Sequence, residues 1–143
     1  MGKEELLGKI KDSLISGKAK DVEALVKEAK AQGIPAEEIL NKGLIAGMDV
    51  VGQKFRAEEF YIPEVLVAAR AMKAGIALIE ADLAKKPGSS RGTVVIGTVA
   101  GDLHDIGKNL VALMLTGAGF KVEDIGIDVP ADKFVSVAKE KNA

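Results

Sequence analysis

The spacing of apolar residues changes once along this chain, and that change constrains the fold more than any other feature. From Glu4 to about Lys86, apolar residues recur at three- and four-residue steps. From Thr93 they run together as a β-branched block. The first pattern belongs to amphipathic helices and the second to a buried strand. Leu6, Leu7, Ile10, Leu14 and Ile15 make the first stripe, which Gly17 breaks. Val22, Leu25, Val26 and Ala29 make the second, stopped at Gly33 as a C-terminal cap would stop it. Pro35 suits the first turn of a third helix, whose N-terminal dipole Glu37 and Glu38 complement. That helix carries Leu40, Leu44, Met48, Val51 and Phe55. Pro63 opens a fourth, with Val65, Ala69, Met72, Ile76, Ile79 and Leu83 in its stripe. Four short-linked amphipathic helices predict a four-helix bundle.

Lys86-Pro87-Gly88-Ser89-Ser90-Arg91-Gly92 reads as an exposed linker. After it, Thr93 to Val99 has the composition of a strand buried on both faces. Gly101 to Asp105 is a polar loop, and Ile106 to Gly117 a helix with Leu110, Val111 and Met114 inward. Lys121 to Ile125 is a second strand, and Pro130 starts a last helix through Phe134, Val135 and Val137. The expected class is α plus α/β: a helical bundle over residues 1–86, a linker over 87–92, and over 93–143 the N-terminal part of a Rossmann-like (flavodoxin-like) parallel α/β domain. Two parallel strands cannot bury both faces of a sheet. The expectation is therefore of a truncated domain, or of strands supplied from elsewhere.

Composition removes several functions. Charged residues make up 29% of the 143 positions but leave a formal net charge of -1, which gives no electrostatic reason for a nucleic-acid partner. Aromatic residues are 3% and tryptophan is absent, so a base-stacking platform is not expected. With no cysteine there are no disulfides, thiolate metal sites or cysteine nucleophiles. The start lacks a secretory signal pattern and no apolar run could span a bilayer, so the expectation is a cytoplasmic protein without a membrane partner.

The one histidine, His104, lies in the loop after the first predicted strand, Thr98-Val99-Ala100-Gly101-Asp102-Leu103-His104-Asp105-Ile106-Gly107. Open α/β sheets bind ligands at that end of their strands. Neutral imidazole is a good ligand for a transition metal such as cobalt. Its second nitrogen needs a partner that fixes the tautomer, and Asp102 is placed to fold back toward it. Gly101 and Gly107 allow close approach of a large flat ligand. One histidine with scattered acids does not make a tetrahedral zinc site. A macrocycle that brings its own equatorial nitrogens needs only one protein donor, which leaves haem or a corrinoid. The plain alternative is a solvated loop histidine.

Gly101-Asp102-Leu103-His104-Asp105-Ile106-Gly107-Lys108-Asn109 resembles the Asp-x-His-x-x-Gly signature of cobalamin-binding proteins. Met48 to Phe55, Tyr61 to Val65 and Ala68 to Met72 resemble the helical cap that precedes it. Together they are similar to the corrinoid proteins of methanol-, methylamine- and methoxyarene-type methyltransferase systems, and to the corresponding module of cobalamin-dependent methionine synthase. The resemblance implies a cobalamin bound base-off and His-on: the cofactor's own base is displaced and His104 ligates cobalt. It implies that Asp102 hydrogen-bonds His104, and it brings Asp105 and Gly107 into the cofactor-binding loop. Phe55 and Ile62, and less directly Met48 and Val65, would lie over the upper face; ordinary bundle core is the competing reading of these four. Family members continue into Ser-x-Leu and Gly-Gly segments that cradle the nucleotide tail. The chain stops at Ala143, before either, so the expectation is of a pocket only partly built, with the corrinoid either held by this chain or absent from it.

The function implied is a non-catalytic methyl carrier, passing a methyl group on cobalt between donor-side and acceptor-side methyltransferase subunits. A homo-oligomer stays open. Two other classes compete: a B12-responsive regulatory module, and a structural interaction domain without cofactor.

Overall fold

The computed structural model describes residues 2–84 and 91–143. It divides into two compact units, Met1–Ser89 and Ser90–Ala143. A helical bundle followed by the start of a parallel α/β domain is the architecture expected from the apolar spacing.

The first unit contains α1 (Lys3–Ile15), α2 (Ala19–Ala31), α3 (Ala36–Glu38), a π-helical segment (Ile39–Ile45), α4 (Ala46–Arg56) and α5 (Ile62–Ala84). α1 packs on α2, the π segment and α4, and α2 packs along α5. The residues that meet are those of the stripes: Leu6, Ile10, Leu14, Val22, Val26, Leu44, Val51, Val65 and Ile79 are fully buried. Each such side chain contributes about 1.5–3 kcal/mol by leaving water. Glycines set how close the helices come. A Cβ added at Gly43 would stand 3.0 Å from Ile10 Cγ2, and one at Gly47 would stand 3.2 Å from the Lys11 carbonyl. Four residues apart, the two glycines lie on one face and admit α1. At Gly75 an added Cβ would meet Leu44 Cδ2 at 2.7 Å, so α5 closes on the π segment in the same way.

The third stripe differs from the single regular helix expected. Ile39, Leu40, Leu44 and Ile45 are all buried. Two adjacent pairs five residues apart spread around a 3.6-residue helix. The wider i→i+5 turn stacks residues five apart and puts both pairs on the inner side. The start of α5 matches its sequence signal more closely: the Tyr61 N–H donates to the Glu64 carboxylate at 2.9 Å, the reach-back of an N3 acid to the N-cap.

The second unit contains β1 (Thr93–Ile96), α6 (Ile106–Gly117), β2 (Lys121–Asp124) and α7 (Ala131–Lys141). The strands are parallel, in register from Thr93↔Lys121 to Ile96↔Asp124. A further parallel bridge joins Val99 and Val129. α6 packs on β2 and α7 on β1. Two sequence expectations need correction here. All four β1 residues are half-buried, not buried on both faces. Val111 is 50% exposed, not inward. Both follow from a sheet only two strands wide, which is too narrow to cover a helix face or a central strand fully.

Of the expected linker, residues 87–90 lie outside the described residues. Arg91 and Gly92 belong to the α/β ladder: the Arg91 N–H donates to the Gly119 carbonyl at 3.0 Å and the Lys121 N–H to the Gly92 carbonyl at 2.9 Å. Among the described residues no helix is long and apolar enough to cross a membrane.

Candidate functional site

The loop holding His104 leaves the carboxyl end of β1 and runs to the N-terminus of α6. Beyond Ile96 the two strand exits stay tied together. The Thr98 N–H donates to the Gly126 carbonyl and the Val129 N–H to the Thr98 carbonyl, both at 2.9 Å. The loop then turns away at Gly101, whose φ of +86° lies in the region that favours glycine.

Asp102 and His104 are brought together. One carboxylate oxygen of Asp102 accepts the backbone N–H of His104 at 2.9 Å and faces ring Nδ1 at 2.5 Å. The first contact is the local turn that an Asp forms with the residue two positions on. These bonds, the backbone one first and the ring one second, hold the Asp102 carboxyl below its ordinary range. An ionised carboxylate can only accept, so the tautomer consistent with the contact carries its proton on Nδ1 and leaves the Nε2 lone pair free. The His104 side chain is 97% exposed. A ring of fixed tautomer with its second nitrogen open is the arrangement a metal-ligating histidine needs.

The other loop residues expected from the sequence have different roles. Asp105 is the N-cap residue of α6 but makes no side-chain capping bond. Its carbonyl accepts the Asn109 N–H at 2.8 Å. Gly107 lies in the first turn of α6, where an added Cβ would meet nothing within 4 Å. The same stretch of chain exposes three apolar side chains: Val99, Leu103 and Ile106 are 62%, 68% and 85% exposed.

Three further residues, Thr98, Asp128 and Lys108, make contacts at this end of the sheet. The Thr98 hydroxyl donates to the His104 carbonyl at 2.6 Å. Asp128 accepts the Gly101 N–H at 2.8 Å and donates its own N–H to the Asp102 carbonyl at 3.1 Å. Lys108, from the first turn of α6, reaches both Asp124 oxygens at 2.7 and 2.8 Å, with its side chain only 9% exposed. The Lys108 ammonium first, and the Gly126 N–H second, hold the Asp124 carboxyl below its ordinary range. An acid at the end of β2 facing a lysine just after Gly107 was the available sequence signal. Thr98 and Asp128 had none.

Four residues singled out in the helical unit divide in two. Met48 and Val65 are buried. Phe55 is 37% exposed and Ile62 49%, flanking the turn from α4 to α5. That turn is fixed in part by Lys54, which lies 3.4 Å from Glu59 and 5.4 Å from the centroid of the Phe60 ring.

The residues present fit a macrocyclic cobalt cofactor better than a bare ion. Among the described residues no cluster of three or more His, Asp or Glu could hold a metal. One open imidazole, on a loop that also exposes Val99, Leu103 and Ile106, instead offers a single donor and apolar side chains to a ligand.

Comparison with known proteins agrees. Two family models, each described as a B12 binding domain, match residues 6–80 and 92–143. A dimethylamine corrinoid protein of Methanosarcina barkeri is 49% identical, over 100% of this chain and 67% of its own length. A trimethylamine corrinoid protein of the same organism is 45% identical, over 96% of this chain and 64% of its own. The chain thus spans about two thirds of the length of these relatives. Among solved structures, the methanol:cobalamin methyltransferase complex from Methanosarcina barkeri matches with a TM-score of 0.88 and 31% identity, covering 99% of this chain and 54% of that one. The chain belongs to the corrinoid-protein family, and its two matched segments are B12-binding domains.

Proposed function

We propose that this chain is the corrinoid-binding part of a methyl carrier, with His104 as the axial ligand to cobalt in a base-off, His-on mode. The observation that carries the reading is the state of the imidazole: Nδ1 is engaged by Asp102 at 2.5 Å while the side chain is 97% exposed. When bound, the corrinoid supplies a cobalt centre that can accept and release a methyl group. The chain's own residues bind, orient and shield. Asp102 fixes the tautomer and raises the basicity of the ligand. Val99, Leu103 and Ile106 offer an apolar bed to a flat macrocycle, and Gly107 leaves room for it at the helix start. In the helical unit the exposed Phe55 and Ile62 are the residues offered to the cofactor's upper face, and the buried Met48 and Val65 belong to the unit's core.

The partners in this reading are a donor-side and an acceptor-side methyltransferase subunit in the cytoplasm. Similarity to dimethylamine and trimethylamine corrinoid proteins makes a methylamine-specific methyltransferase the first donor-side partner to test. Titrating cob(II)alamin into the chain tests the ligand assignment. The wild type should bind it and show a histidine-ligated spectrum, which His104→Ala should abolish. A spectrum unchanged by that substitution would remove His104 from the site.

A further inference from the structure

We propose that Thr98 and Asp128 are positioning residues for the His104 ligand, locking its loop to the two strand exits through the backbone. The inference rests on the reading of His104 as the cobalt ligand. The Asp102–His104 contact alone is a local one. That contact fixes the ring relative to Asp102, two residues away, but does not fix either residue relative to the sheet. An Asp-x-His pair on a loose loop would have to be ordered by the ligand it binds, and that ordering weakens binding.

The structure supplies the missing anchors. Thr98, 9% exposed, is a buried polar side chain at the exit of β1. A buried hydroxyl needs a partner, and this one donates to the carbonyl of His104 itself, six residues on, at 2.6 Å. Thr98 is in turn tied into the sheet through Gly126 and Val129. Asp128 comes from the other exit, after β2. It accepts the Gly101 N–H and donates to the Asp102 carbonyl, so it grips the peptide groups on either side of the turn. It does so with a φ of +52°, a backbone conformation few non-glycine residues adopt. The ligand's own peptide is thus held from β1, and the peptide of its tautomer-fixing partner from β2.

The test separates positioning from general structure by a double-mutant cycle. Thr98→Val removes the hydroxyl at nearly constant shape, and Thr98→Ser keeps it. Asp128→Gly removes the acceptor and tolerates the positive φ, while Asp128→Asn keeps an acceptor there. Each is made in the full chain, with His104 and with His104→Ala. Affinity is read by cob(II)alamin titration, ligation by the doublet splitting of the cobalt EPR signal in protein whose single histidine carries nitrogen-15, and loop order by amide exchange of Gly101 and Asp102 without cofactor. Thr98→Val and Asp128→Gly should each weaken binding about tenfold and reduce the histidine-split signal. Thr98→Ser and Asp128→Asn should stay close to wild type. Both losses should disappear in the His104→Ala background, because the two residues act through the histidine. Wild-type affinity and splitting in Thr98→Val and Asp128→Gly would overturn the proposal, and so would equal losses with and without His104. If the labelled wild type shows a triplet instead of a doublet, or His104→Ala binds cob(II)alamin as tightly as the wild type, the ligand reading itself has failed, a separate result. Should Thr98→Val fail to fold by circular dichroism, the Asp128 pair decides.

Discussion

Substituting Gly101 tests whether the loop geometry contributes to binding. The residue sits at φ +86°, and an added Cβ would meet no atom within 4 Å. Gly101→Ala therefore meets no clash, and its whole cost is conformational. An L-residue in left-handed backbone costs about 1–2 kcal/mol. The alanine variant escapes that cost by leaving the observed turn, which breaks the 2.8 Å bond from the Gly101 N–H to Asp128. Cofactor binding must then drive the loop back. At about 1.4 kcal/mol per tenfold, the expected loss of cobalamin affinity is roughly 5–30-fold. Gly101→Asn, better tolerated at positive φ, should lose less. The assay is an absorbance titration with cobalamin, with circular dichroism to check the fold. Gly107→Ala separates the two effects: its site in α6 has no positive φ, so without cofactor it should gain up to about 1 kcal/mol of helix stability, and any affinity it loses comes from the room its Cβ takes from the macrocycle. Wild-type affinity in a folded Gly101→Ala chain would refute the argument that the turn prepares the ligand.

Other substitutions and titrations address the remaining contacts. The Asp102 carboxyl has a lowered pKa, so its hold on His104 should be complete above the ordinary carboxylate range. It should be lost only as pH falls below that range, which a carbon-13 titration of the Asp102 carboxyl would show as a midpoint below that of free aspartate. Breaking the Lys108–Asp124 pair should be asymmetric under urea denaturation. Asp124→Ala leaves the Lys108 ammonium, on a side chain 9% exposed, without its carboxylate and with the Asn109 Oδ1 at 2.9 Å as acceptor, and should cost roughly 1–3 kcal/mol, whereas Lys108→Met leaves a carboxylate 39% exposed to rehydrate and should cost under about 1 kcal/mol. In the helical unit, Leu44→Ala should cost about 2–5 kcal/mol and Gly75→Val about 1–3 kcal/mol. The double variant should cost less than the sum, because the side chain added at Gly75 occupies space left by Leu44.

The helical unit was legible because burial there follows a simple period. Leu6, Ile10, Leu14, Val22, Val26, Val51, Val65 and Met72 stood in the stripes and are buried. The π segment was not legible, since residues five apart are not on one face until the backbone widens. In the second unit, β-branched composition located β1 but overstated its burial, because burial depends on neighbouring strands that composition does not count. Asp102 and His104 could be paired in advance because an Asp readily bonds a residue two positions on. Thr98 and Asp128 could not: their partners lie six and 26–27 residues away and meet them only after the strands have paired.

The central claim is that His104, rather than the cofactor's own base, ligates cobalt, and the composition of the chain makes it directly measurable. Because the chain has a single histidine, labelling all histidine with nitrogen-15 labels that one site. With cob(II)alamin bound, ligation by His104 predicts that the nitrogen splitting of the cobalt EPR signal changes from a triplet in unlabelled protein to a doublet in labelled protein. A triplet that survives labelling would show that the cofactor's own base stays on cobalt, and would contradict the account.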